Sequence, residues 1–381
     1  MKRCNPNAKM IECSRAIAEA VKLCKPDVIA AYPITPQTHI VEDLAKMIAN
    51  GDLNSEYLRV ESEHSALSAC IGAQATGSRT FTATNSQGLA LMSEMLYVAS
   101  GMRLPIVMAI SNRALSSPIN IWNDHSDTMS VRDSGWIQLH CESSQEAFDT
   151  IIQAYKIAEE INLPVMVCVD GFTLSHLWEP VEMINEDQIK TFLPPYCPKF
   201  KLETENPITL GPIGYPFCYQ GFKEKQHKAM LDSSQIIKKI NKEFLDRFGR
   251  GYGDGLIELY RMDDAKKAIV IMGSACGTAR EVIDKLREKK EKVGMIKIKS
   301  FRPLPVNELK KACERIRGLA IIDRAISLGN NAPLYTELKA VLPENIKINS
   351  FITGLGGKDV TMQILEEAIK KIGQKKEVEF L

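Results

Sequence analysis

Arg113 stands two residues past an apolar strand signal over Pro105 to Ser111, and no other charged side chain follows until Asp124. Open α/β sheets build ligand sites at the carboxyl ends of their strands. A guanidinium there suits a bound carboxylate, with a structural ion pair as the alternative. Glu61-Ser62-Glu63-His64 occupies a strand-to-helix transition. An acid in the first helical turn commonly does no more than complement the helix dipole, and composition alone favours that reading. His125, in Trp122-Asn123-Asp124-His125-Ser126-Asp127, suits a hydrogen-bonded loop position. No second histidine lies near enough in sequence to suggest metal-ligand spacing.

Two glycine-rich stretches resemble phosphate or metal loops and fall short of them. Gly273-Ser274-Ala275-Cys276-Gly277-Thr278 follows a strand and opens a helix, but lacks the G-x-G-x-x-G spacing. The next strand ends in Lys297-Ile298-Lys299 where a ribose-binding acid is expected, so a plain tight turn is favoured over a nicotinamide site. Gly253-Asp254-Gly255 has the first half of a magnesium and diphosphate motif, but no asparagine follows between Asn241 and Asn307 to complete it. A domain linker is the better reading.

The elements that must position these residues alternate strand and helix, the pattern of a parallel sheet covered on both faces. Strands are expected at Asp27 to Tyr32, Tyr57 to Val60, Thr80 to Ala83, Pro105 to Ser111, Trp136 to Cys141 and Pro164 to Asp170. Helices are expected at Glu63 to Thr76 and Gln87 to Gly101. Ser143-Ser144-Gln145-Glu146 has capping-box spacing, and Phe148, Ile151, Ile152, Tyr155 and Ala158 then form one apolar face. Six prolines between Pro194 and Pro216 predict an extended excursion. A helix over Ser233 to Phe248 follows, closed by Gly249, Gly251, Gly253 and Gly255, where the domain boundary is expected. Strands then resume at Lys267 to Met272, Val293 to Ile298, Leu319 to Ile322 and Ile346 to Phe351. The expected division is a domain over 1–250, with its proline-rich excursion at about 193–225, and a smaller α/β domain over 256–381.

The chain has 381 residues, enough for two domains at roughly 100 to 200 residues each. Lys+Arg 48 against Asp+Glu 47 gives a net charge of +1. That balance removes the basic field expected of nucleic-acid or membrane-surface binding. No apolar run reaches the roughly 18 to 20 residues that span a bilayer, and Met1 to Asn5 shows no secretion signal, so a cytoplasmic location is expected. The ten cysteines form no C-x-x-C pair. No metal or cluster site can be written from their spacing, and reduced, mostly buried thiols are expected.

In order along the chain, Tyr32-Pro33-Ile34-Thr35-Pro36, Glu61-Ser62-Glu63, Ser86-Gln87-Gly88-Leu89, Asn112-Arg113-Ala114, Asn123-Asp124-His125-Ser126-Asp127 and Asp170-Gly171-Phe172 resemble the 2-oxoacid:ferredoxin oxidoreductase family. Met272-Gly273-Ser274, Gly277-Thr278-Ala279-Arg280 and Lys299-Ser300-Phe301-Arg302-Pro303 extend the likeness, which is to alpha subunits of the pyruvate-specific enzymes. It is poorest between about Leu193 and Gly249. The fold it implies is a pyrimidine-type thiamine-binding α/β domain followed by a smaller domain similar to the C-terminal domain of transketolases. The reaction it implies is oxidative decarboxylation of pyruvate with coenzyme A to acetyl-CoA, carbon dioxide and reduced ferredoxin. Other oxoacids, branched-chain ones included, and a non-catalytic structural subunit are the alternatives.

The resemblance also implies roles. Glu63 matches the glutamate that hydrogen-bonds the aminopyrimidine of thiamine diphosphate and drives its amino group to the imino form, which removes the thiazolium proton. A buried carboxyl can share a proton with a weakly basic ring nitrogen, and Glu61 is the rival. Arg113 matches the arginine that pairs with the oxoacid carboxylate, a partner suited to a guanidinium fork. Thr35 matches the threonine beside the substrate, able to donate a hydrogen bond without adding charge. Tyr32, Pro33, Ile34, Ser86, Gln87 and Gly88 fall in the cofactor-binding segments. A beta subunit is expected to hold the diphosphate and magnesium, with four-iron clusters on partner chains that include gamma and ferredoxin-like delta subunits. This chain should be inactive alone.

Overall fold

The computed structural model describes residues 8–374 and 378–381. Met1 to Asn5, Cys4 among them, lie outside the described residues. Seven strands form the larger sheet, in the order Ser300–Arg302, Ile137–His140, Val165–Asp170, Val107–Asn112, Thr80–Thr84, Val28–Ala31 and Glu56–Arg59. Six of them run parallel, and Ser300–Arg302 pairs antiparallel at one edge. The two central strands, Val107–Asn112 and Val165–Asp170, are buried at every position. That pattern explains their unbroken apolar runs, because helices cover both faces. On one face lie Ile17 and Val21 of the helix Cys13–Cys24 with Ile151 and Tyr155 of the helix Ser144–Ile161. On the other lie Leu67 of the helix Glu63–Ala75, Leu96 and Trp136.

A second sheet orders Val378–Phe380, Lys347–Ile352, Gly318–Asp323, Lys267–Ile271, Val293–Ile298 and Ile257–Tyr260. Only Ile257–Tyr260 runs antiparallel, at the edge. Ala8–Glu12 and Trp178–Glu182 form a separate antiparallel pair. The expected strands recur with bounds shifted by a residue or two, whereas five edge strands of three to five residues appear that no apolar run announces. Among them, Ser300–Arg302 crosses over: it follows a strand of the second sheet directly in sequence and completes the edge of the first.

Three local expectations need correction. The helix expected over Gln87 to Gly101 is two helices, Ser86–Leu91 and Ser93–Gly101, joined at the buried Met92. The helix expected over Ser233 to Phe248 begins at Pro216 and runs 33 residues. Its first half shows Phe217, Tyr219 and Phe222 to solvent, so no buried stripe within this chain marks it. Ser143 does cap the Glu146 N–H at 3.2 Å, but no reciprocal capping box forms. The Glu146 carboxylate instead accepts from Glu142 N–H and from the ammonium groups of Lys297 and Lys299, each at 2.7 Å, across from the second sheet.

At the hinge, Gly249 ends the long helix with φ +71° and donates its N–H to Leu245 O, as an αL cap requires. Asp254 accepts the N–H groups of Leu256 and Ile257, so its carboxylate is used by its own turn. Among the described residues, Cys13, Cys24, Cys70, Cys141, Cys168, Cys276 and Cys313 are buried thiols, while Cys197 is exposed.

Candidate active site

Glu63 opens the helix Glu63–Ala75 behind the cap residue Ser62, whose hydroxyl accepts the Ser65 N–H. Strand geometry upstream and the cap together turn Glu63 inward, to 7% exposure. Glu61, two residues earlier, points to solvent, and the Ser65 hydroxyl donates to its carboxylate at 2.8 Å. That bond holds Glu61 below its ordinary pKa.

The inward carboxylate faces Gly88. A Cβ on Gly88 would stand 2.7 Å from Glu63 Oε1 and 2.4 Å from Thr84 Oγ1, distances no side chain tolerates. The helix Ser86–Leu91 therefore reaches Glu63 only through a glycine. Around this contact, Gln37 Nε2 donates to Ala83 O at 2.6 Å and Asn85 Nδ2 to Ile34 O at 3.3 Å, which ties the loop 32–37 to the end of the strand Thr80–Thr84. Gln37 Oε1, Thr84 Oγ1 and Asn85 Oδ1 are buried and lack hydrogen-bond partners among the described residues. Unsatisfied buried acceptors beside a carboxylate fit a polar group arriving from outside. Tyr32, at 38%, on this loop, and Leu91, at 51%, at the end of the helix Ser86–Leu91, are exposed.

Arg113 follows the strand Val107–Asn112 and is 7% exposed. Its guanidinium donates from Nε to Asn120 O at 2.7 Å and from Nη1 to Thr35 O at 2.9 Å. Among the described residues it has no ion pair, so the structural ion-pair reading has no partner to offer. Burial lowers its pKa, with the charge of Asp127 opposing. The structure thus joins Thr35 and Arg113 directly. Glu63 and Arg113 share no hydrogen bond or ion pair, and their connection runs through residues 84–88.

That connection depends on Asp127, a residue the sequence reading quoted only as part of a motif. Its Oδ2 accepts the backbone N–H of Ser86 at 2.9 Å and of Arg113 at 3.0 Å. Its Oδ1 accepts from Asn112 Nδ2 at 2.7 Å and the Thr128 N–H at 2.8 Å. Burial pushes the Asp127 carboxyl up to about 6 against the pull of these donors. Ser86 adopts φ +45°, held there by Asp127 and by its own hydroxyl donating to Ala114 O at 2.6 Å. The one advance signal is the place of Asp127 in the Asn123-Asp124-His125-Ser126-Asp127 motif.

His125 is a buried hydrogen-bonded histidine, its Nε2 at 2.8 Å from Asp170 Oδ1. Asp170 also receives Arg324 Nη1 at 2.6 Å and the Ser274 N–H at 2.9 Å. The Gly273 turn is therefore docked onto the first sheet rather than open to a phosphate. Burial works against ionisation of Asp170, but Arg324 and His125 hold its pKa well below the carboxylate range.

Comparison with known proteins adds three findings. Residues 19–242 match the family model described as pyruvate flavodoxin/ferredoxin oxidoreductase, thiamine diphosphate-binding, and residues 265–365 match core domain II of pyruvate:ferredoxin oxidoreductase. The chain is 51% identical to pyruvate synthase subunit PorA of Methanocaldococcus jannaschii, covering 96% of this chain and 94% of that one. It is 44% identical to ketoisovalerate oxidoreductase subunit VorA of Pyrococcus horikoshii, covering 97% and 95%. Its fold is similar to a solved 2-oxoglutarate:ferredoxin oxidoreductase from Magnetococcus marinus, with a TM-score of 0.75 at 18% identity over 96% of this chain. The chain spans 65% of that protein's length.

Proposed function

The chain belongs to the pyruvate flavodoxin/ferredoxin oxidoreductase family, and from that membership we propose that it is the alpha-type subunit of a pyruvate:ferredoxin oxidoreductase. The reaction is oxidative decarboxylation of pyruvate with coenzyme A to acetyl-CoA, carbon dioxide and reduced ferredoxin. When bound, thiamine diphosphate supplies the electron sink for loss of carbon dioxide. Glu63 would hold the aminopyrimidine ring and share a proton with its ring nitrogen, since the Gly88 face and the open acceptors of Thr84 and Asn85 leave a polar cradle beside it. The loops carrying Tyr32, Pro33, Ile34, Ser86 and Gln87 would line the same ring.

Arg113 is the observation that carries the substrate reading. A buried guanidinium with carbonyl partners and no carboxylate is poised for a planar anion, and bidentate pairing gives orientation as well as affinity. Thr35, held beside it through its own carbonyl, would offer its hydroxyl to the oxoacid. The diphosphate and magnesium fall to a beta subunit and the four-iron clusters to partner chains, gamma and ferredoxin-like delta subunits among them. This fits Asp254, the acid of the incomplete metal motif, being tied up in a turn. No helix among the described residues is long and apolar enough to cross a membrane, and we place the complex in the cytoplasm.

The test is the native complex purified through this chain and assayed for viologen reduction with coenzyme A across a series of 2-oxoacids. Pyruvate should give the highest kcat/KM. A preference for 3-methyl-2-oxobutanoate would move the assignment to the ketoisovalerate branch, and reduction of a nicotinamide instead would overturn it.

A further inference from the structure

Apart from the residues of the candidate active site, three separate segments bring together Glu12, His39 and His176. Glu12 ends the strand Ala8–Glu12, His39 lies in the first turn of the helix Thr38–Ala49, and His176 lies in the turn after the strand Val165–Asp170. One ligand-capable atom from each lies within 4.8 Å of the other two. His39 Nδ1 is 2.7 Å from Glu12 Oε1, and the two imidazole rings stand 4.5 Å apart between centroids. Ser175 Oγ meets His176 Nδ1 at 2.8 Å while also accepting the Phe172 N–H at 2.9 Å, and the Phe172 ring packs on His176 at 4.8 Å. A serine holding one ring nitrogen fixes the orientation of the imidazole and leaves the other nitrogen, Nε2, available. Metal-binding histidines are commonly held in this way.

We propose that Glu12, His39 and His176 form a binding site for a zinc-class divalent cation. Two imidazoles and one carboxylate are a donor set of borderline softness that favours zinc over magnesium or calcium, which take oxygen ligands. Ligand bonds of about 2.0 to 2.1 Å in a tetrahedron set donor atoms roughly 3.3 Å apart. The segments carrying Glu12 and His176 are already tied by Cys13 N–H to Leu177 O at 3.0 Å and Ser14 N–H to Ser175 O at 2.9 Å, and the donor atoms, all within 4.8 Å, would draw in to that spacing on binding. Nearby cations do not fill the place: Arg15 is paired with Glu19 at 2.8 Å and Asp43 at 3.1 Å, and Lys46 lies 3.8 Å from Asp43. A cleft of about 420 Å³ is lined by Glu12 and His39, with Arg15, Asp43 and Trp178, and so gives solvent access to two of the three residues.

The bound ion would join the start of the helix Cys13–Cys24 to the helix Thr38–Ala49 and to the turn that contains Gly171. A Cβ on Gly171 would stand 2.7 Å from the Pro36 side chain, so this turn already packs against the loop carrying Thr35. The ion would therefore brace that loop through the Gly171 turn, whose N–H also donates to Asn112 O at 3.0 Å.

The experiment uses the full chain, with the more exposed thiols removed as Cys197→Ser and Cys218→Ser so that they cannot capture metal. After treatment with a chelator, zinc is titrated in competition with a chromophoric zinc indicator, and melting temperature is read with and without zinc. The parent should bind one equivalent and melt higher with zinc. His39→Ala, His176→Ala and Glu12→Gln should each lose that equivalent or weaken it at least tenfold, and should lose the zinc-dependent rise. Circular dichroism checks folding. Should the more buried His176 variant fail to fold, the half-exposed His39 carries the test. Equal zinc stoichiometry and affinity in the parent and His39→Ala would overturn the site, as would no zinc binding by the parent.

Discussion

At Glu63 a two-residue difference in sequence becomes a difference between water and protein interior. The Ser62 cap sends Glu61 outward and Glu63 toward Gly88, so the two carboxylates should separate cleanly in experiment. General acid–base help is worth roughly a hundred- to ten-thousandfold, and Glu63→Gln in the assembled complex should slow hydrogen–deuterium exchange at the cofactor's thiazolium ring by about that factor. Glu61→Gln should leave it near the wild-type rate, and the reverse pattern would transfer the role. For Arg113→Ala the expected change is a raised KM for the oxoacid, with a loss of about 2 to 5 kcal/mol in transition-state binding if the charge pair is desolvated. Thiamine diphosphate binding should persist. Initial-rate kinetics against oxoacid concentration read this, and an unchanged KM removes Arg113 from the site. Arg113 is legible in the sequence because a lone charge after an apolar strand is conspicuous. Asp127 is not: its importance lies in accepting two backbone N–H groups, from Ser86 and Arg113, which only the folded chain brings together.

Among the elements, the short helix Ser86–Leu91 and the helix Glu63–Ala75 approach each other through a missing side chain. Gly88→Ala should push the Glu63 carboxylate aside and reproduce the slowed ring-proton exchange of Glu63→Gln. Gly72→Ala, on the same second helix but with nothing within 4 Å of the added Cβ, should leave exchange unchanged. Replacing a mid-helix glycine should also stabilise the chain by about 0.5 to 1 kcal/mol, read as a rise in melting temperature. The central strands are legible because both faces are buried and their residues are apolar or small up to the polar Asn112 and Asp170 at their ends. The first half of the helix Pro216–Phe248 is hidden for the opposite reason: its apolar side chains do not pack into this chain, and periodicity reports only burial that the chain itself provides. Glu146 shows a third case, where a residue read as half of a capping box is claimed by Lys297 of the second sheet and by Lys299 just past that strand.

For the whole molecule, two buried charge clusters join the sheets, one at Asp170 with Arg324 and His125, the other at Glu146 with Lys297 and Lys299. Glu146 has its pKa brought down to about 2 against the resistance of burial, by the two lysines, from an ordinary value of 4.5. A carboxyl depressed in the folded state adds stability that is complete above pH 4.5 and is lost as pH falls from there toward 2. Melting temperature should therefore hold near pH 6 and fall steeply below pH 4.5. Glu146→Gln should flatten part of that fall while costing about 3 kcal/mol at neutral pH, because it leaves the buried Lys299 ammonium without a carboxylate, whereas Lys297 keeps Glu142 at 2.8 Å. The isolated chain should fold yet bind thiamine diphosphate weakly or not at all, since it brings no completed magnesium site. Calorimetry on the chain with and without its partners tests this, and tight binding by the chain alone would contradict a divided site. The strand Ser300–Arg302 imposes an order in time as well as in space. During synthesis the last parallel strand of the larger sheet is finished at Asp170, while the strand that covers its Ile137–His140 edge lies beyond the whole stretch 171–299. At about 5 to 20 residues per second, the ribosome leaves that edge bare for on the order of ten seconds. An unpaired edge is open to other chains throughout that interval, so crowded polysomes are where this protein is most exposed to misassembly.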